Sequence, residues 1–150
     1  MRLTPILLLL ASLSAAFRQE QVGPTKADLA NAPLVKIEEL VAHPEQYDRL
    51  IIRVNALWVN GYHGAFVCPI DNEHPCIGIY LECPESERCK DMNKVLAQNL
   101  KADPTGEFWD MRGRLSVVGR FKDTKERGRN SPRFFLEVLN IEGVLPKSSG

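Results

Sequence analysis

The alternation of apolar and polar residues is clearest between Glu107 and Ile141, where two long strands joined by a charged loop are expected. In the first, Trp109, Met111, Leu115, Val117 and Phe121 share one parity. Asp110, Arg112, Arg114, Ser116 and Arg120 share the other, with Val118 the one exception. In the second, Phe134, Leu136 and Val138 alternate with Phe135, Glu137 and Leu139, so both faces are partly apolar. A period of two with one polar face is that of a half-buried antiparallel strand. Upstream, β-branched and aromatic residues over 50–59 predict a strand, and Asn60-Gly61 predicts a tight turn into a second strand over 64–68. Pro69 and the run 71–75 interrupt the ladder before a third strand over 77–83. The period then changes. Cys89, Met92, Val95, Leu96 and Leu100 recur at three and four, one stripe of an amphipathic helix over 85–100, with Ser86 as a candidate N-cap. A shorter helical pattern, Ile37, Leu40 and Val41, is stopped by Pro44.

The expected order is therefore strand, strand, strand, helix, strand, strand, after a short N-terminal helix. That is the order of an all-β fold with one helix, the five-stranded Greek-key OB-fold barrel with its helix between strands three and four. The helix would plug one end of the barrel, and Gly113 and Gly119 would sit where a strand bends to close it. A plain antiparallel sheet with one packed helix is the alternative. The barrel domain is placed at 34–146, preceded by a flexible segment over 17–33 and followed by a tail over 147–150.

Part of this region resembles a known group. Ile37-Glu38-Glu39-Leu40, His43-Pro44-Glu45-Gln46-Tyr47-Asp48 and Ile52-Arg53-Val54 resemble the opening of small exported bacterial OB-fold proteins. Those begin with a short helix, a Pro-Glu-x-Tyr-Asp turn and then the first strand. Their pattern has Gly after Tyr-Asp, where Arg49 stands in this chain. The resemblance covers residues 35–60 and implies no catalytic residues.

Composition adds a location. Arg2, the apolar run from Leu3 and the small residues Ser14 and Ala16 match a secretory signal peptide over 1–16, too short to span a bilayer. The expected localisation is secreted or periplasmic, with no membrane span after cleavage. Formal charge is zero over the 150 residues, yet it is segregated. Residues 17–111 carry 9 basic and 15 acidic groups, and residues 112–150 carry 9 basic and 4 acidic. All four cysteines, Cys68, Cys76, Cys83 and Cys89, fall within one short stretch. In an exported chain they read as disulfides, paired either 68–76 with 83–89 or nested as 68–89 with 76–83. A zinc site is the rival, with His63 and His74 nearby, but the spacings lack close paired ligands.

Candidate chemistry is sparse. No phosphate-binding glycine loop, nucleophile elbow or paired-histidine motif occurs, so no catalytic residue, cofactor or metal is assigned and the chain reads as a non-enzyme. Binding has more to stand on. In OB folds the loops after strands one and four flank a ligand face on strands two and three. Here those loops are 60–64, with Tyr62 and His63, and 122–132, with Lys122, Lys125, Arg127 and Arg129. In a closed barrel both are expected to meet at one mouth. Phe66 and Tyr80 would extend an aromatic platform, unless they fill the barrel core. Aromatics beside cations suit a polyanion: oligosaccharide, oligonucleotide or an acidic protein surface. The other reading is a structural or interaction subunit of the bacterial envelope, with no small ligand.

Overall fold

The structure, a computed structural model, describes residues 23–61, 64–81, 86–102, 111–126 and 131–146. The leader over 1–16, Tyr62, His63, Cys83, Arg127, Arg129 and the tail over 147–150 lie outside the described residues.

Three short helices come first: α1 (Lys26–Ala30), α2 (Ile37–Ala42) and α3 (Pro44–Tyr47). Strands β1 (Ile51–Gly61), β2 (Gly64–Cys68) and β3 (Ile77–Tyr80) follow. Then come α4 (Glu87–Asn99), a two-residue strand β4 (Lys101–Ala102), and the long strands β5 (Met111–Asp123) and β6 (Phe134–Val144). Five strands close a ring in the order β1-β2-β3-β6-β5 and back to β1, with β4 appended to β5. Only β3–β6 runs parallel among these pairings; the others are antiparallel. The plain open sheet is thereby excluded.

Inward positions alternate as the period of two requires. Ile52, Val54, Ala56 and Trp58 of β1 meet Val67, Ile77, Leu115, Val117, Phe121 and Leu136 in one buried cluster. Cys89 and Met92 of α4 and Ile37 and Leu40 of α2 belong to the same cluster. Helix α4 starts where Ser86 accepts a bond from Cys89 N at 3.3 Å, satisfying one of the donors that a helix start leaves unpaired. Gly119 sits where β5 and β6 crowd: a Cβ there would fall 2.6 Å from the Glu137 carbonyl oxygen and from Leu136. Any side chain would force the two strands apart.

A second, smaller cluster lies on the outside of the barrel. Leu29 and Ala32 cover Val118 and Leu139, with Ile51 beside them. The segment expected to be flexible over 17–33 therefore includes a packed helix from Lys26 to Ala30. Thr25 and Asp28 form a reciprocal capping box that starts α1. Arg53 holds its other end, donating to the Ala30 carbonyl at 3.1 Å and pairing with Glu142. Register skips in β5–β6 leave Leu139 and Glu142 as extra residues, β-bulges that turn Ile141 back into the core.

Cys68 and Cys76 are bonded to each other, and Cys89 is also disulfide-bonded. The nested pairing and the zinc reading are both displaced by that bond. Among the described residues no cluster of His, Cys, Asp and Glu is arranged to hold a metal.

Candidate ligand-binding face

The outward positions of β2, β3, β6 and β5 line up across the barrel wall. Register pairs Phe66 with Gly78, Gly78 with Phe135, and Phe135 with Lys122. A second row runs from Tyr80 to Glu137 to Arg120. Their neighbours Val67, Ile77, Leu136 and Phe121 point inward, which sends these side chains to the outside. Phe66, one alternative for which was core, is half-buried on this outer wall. Tyr80 is 51% exposed. Gly78 lets the rows come together: a Cβ there would meet the Phe135 ring at 2.9 Å and Pro132 at 2.6 Å. The ring of Phe135 therefore lies against the Gly78 backbone, half-buried and in the same row as Phe66.

Below this aromatic stretch the charges are already paired. Glu137 takes Lys122 at 2.9 Å and Arg120 at 3.6 Å. Such partly exposed pairs contribute about 0.5 kcal/mol each. Asp123 behaves differently. Its side chain is fully covered and accepts from Arg133 at 2.8 and 3.0 Å, and from Lys125 N and Nζ at 2.9 and 3.0 Å. The Arg133 guanidinium, with Lys125 behind it, holds the Asp123 carboxyl well below the usual carboxylate range, against the opposing effect of burial. Lys125, proposed from sequence as a ligand cation, is thus part of the pin at the base of the β5–β6 loop.

Two grooves open onto the outer wall. One of about 930 Å³ is lined by Asp48, Arg49, Arg120, Lys122, Asp123 and Glu137, with Thr124, Leu139, Gly23 and Pro24 at its margins. Arg49 reaches it from a left-handed backbone, φ +68°, and its N–H donates to the Phe121 carbonyl at 2.8 Å. The other, about 280 Å³, lies where the Cys68–Cys76 loop folds over Leu57, Val59 and Phe66, beside a Glu73–Arg112 ion pair at 2.9 Å.

The two flanking connections do not share one mouth, and that expectation is corrected by the β1–β5 register. Asn60 stands opposite Met111, whereas Ile51 stands opposite Arg120. The 60–64 connection and the 122–132 connection leave from opposite ends of this ladder, about 30 Å apart at roughly 3.4 Å per residue. They bracket the face instead of converging. Phe66, Tyr80 and Lys122 do come together on it. Phe135, Glu137, Arg120 and Arg49 also lie on or beside this face and were not among the expected residues, although the parity of Phe135 and Glu137 already placed them in one strand. Compared with known families, curated proteins and solved structures, the chain shows no match.

Proposed function

We propose that the chain is an exported, non-catalytic OB-fold binding module whose ligand face is the outer wall of β2, β3 and β6. The observation that carries this reading is the pair of outward rows, Phe66, Gly78, Phe135 and Lys122 in one and Tyr80, Glu137 and Arg120 in the other, with the Phe135 ring packed on Gly78. An aromatic surface of this kind, wet on one side, is costly to leave uncovered unless something stacks on it. The OB assignment is supported by the ring order and by a parallel pairing between β3 and the last strand, with α4 between β3 and the second half of the barrel. Secretion is supported by the Cys68–Cys76 bond and by the leader pattern over 1–16.

Calorimetric titration of the protein with oligodeoxythymidylate, heparin fragments and neutral hexasaccharides tests the reading. At least one class should bind, and Tyr80→Ala should weaken it by about 5- to 100-fold, the range for loss of one stacking ring. Binding by none of them, with salt-insensitive self-association instead, would overturn it in favour of an envelope interaction subunit.

A further inference from the structure

We propose that the segment over 17–22, Phe17-Arg18-Gln19-Glu20-Gln21-Val22, docks as a strap in the 930 Å³ groove of its own chain, with Glu20 paired to Arg49. Those six residues lie outside the described ones, and the place where they join the described chain is the first reason. Gly23 and Pro24, the next two residues, themselves line the groove, and Pro24 is half-buried there. Thr25 caps α1, and the proline biases Gly23 toward extended backbone. A segment tethered at the groove wall meets it at an effective concentration on the order of millimolar, an advantage no free ligand has. Six residues reach at most about 20 Å. Arg120 and Lys122, two positions apart on β5, are separated by about 7 Å, so the segment is long enough to pass both.

The second reason is which charges of the groove are already engaged. The Asp123 side chain is covered and bonded to Arg133 and Lys125, so it offers the groove no carboxylate. Glu137 pairs with Lys122 and Arg120, and Asp48 Oδ1 accepts from Asp123 N at 2.9 Å. Arg49 is different. Its N–H donates to the Phe121 carbonyl, which sets it beside β5 at the level between Arg120 and Lys122. Its side chain is exposed and has no carboxylate partner among the described residues. Glu20 brings one, three residues before Gly23 and so within about 10 Å of it along the chain. Val22 adds an apolar side chain next to the margin that Leu139 and Pro24 form. Arg49 also holds φ +68°, where glycine would sit at no steric cost, so this cation is kept against the local backbone preference.

Docked there, the strap covers Arg120 and Glu137, the row that continues from Tyr80. A ligand on that face has to displace it; this consequence, unlike the docking, rests on the binding-module reading above.

NMR of the ¹⁵N,¹³C-labelled full chain, with no ligand added, tests the docking. Residues 18–22 should show order parameters above about 0.6 and nuclear Overhauser contacts from Val22 to Leu139. Glu20→Arg should raise the detached fraction about fivefold or more, read from the shifts of residues 18–22 moving toward coil values. Adding Arg49→Glu to that variant should restore docking, a rescue that general damage to the fold does not give; Arg49 is exposed, so the fold survives its replacement. Order parameters below about 0.6 with no groove contacts would overturn the proposal. So would contacts that appear only between differently labelled copies, or docking that ignores both substitutions. The outcome is separate from that of the ligand titrations: a docked strap with no ligand bound by any probe leaves this proposal standing and removes the binding-module reading.

Discussion

The outside of this barrel has two walls, and they are built by opposite rules. On the β1–β5–β6 side, Ile51, Val118 and Leu139 are aliphatic and lie under Leu29 and Ala32 at the end of α1. Arg53 locks that cover by bonding both the α1 carbonyl end and Glu142. On the β2–β3–β6 side the outward residues are Phe66, Phe135 and Tyr80, and among the described residues no helix belongs to a cluster with them. The first wall is finished by the chain itself. The second carries the rings of Phe66, Phe135 and Tyr80 and the Glu137 ion pairs with Lys122 and Arg120.

Breaking the covered wall should have the largest effect. Val118→Asp places a carboxylate at a position with no exposure and no cation of its own, and should cost about 4 kcal/mol in urea unfolding. If it costs no more than an exposed substitution, α1 does not cover that wall. Next in size is the pin at the β5–β6 loop. Asp123 has a depressed carboxyl value, so its contribution is complete above the unfolded value near about 3.9 and is lost as pH falls from there toward the folded value. Asp123→Asn should lower stability by about 2 kcal/mol near neutral pH, and the gap to the wild type should close in acid. A gap that is constant with pH would mean that the ionised carboxylate is not what holds the loop. Smallest is Tyr80→Ala, expected to change stability by less than about 0.5 kcal/mol while it weakens ligand binding. A large loss of stability there would place Tyr80 with the folded core and not with the ligand face.

The two walls also show what the pattern of residues reveals. Inward positions were legible, because burial on one face imposes the period of two and Ile52, Val54, Leu115 and Phe121 obey it. The walls were legible only as exceptions. Val118 broke the polar parity of its strand and Leu139 made both faces of the next strand apolar, and both lie under α1. The cover itself was missed, although Thr25 and Asp28 already had capping-box spacing. A helix of five residues has too little periodicity to announce itself. The bulges at Leu139 and Glu142 were hidden for another reason: they are set by the partner strand, which no local period encodes. The turn at Arg49 lay between these cases. Its positive φ is a conformation that glycine adopts at no steric cost, and no local period announces it.

The most direct measurement is a map of amide and aromatic NMR shifts on adding the bound ligand, read on both walls at once. Changes should concentrate at Tyr80, Phe135, Glu137 and Arg120 and leave Leu29, Val118 and Leu139 in place. Changes confined to the α1-covered wall, or to the far end of β1 near Asn60, would contradict the proposed face.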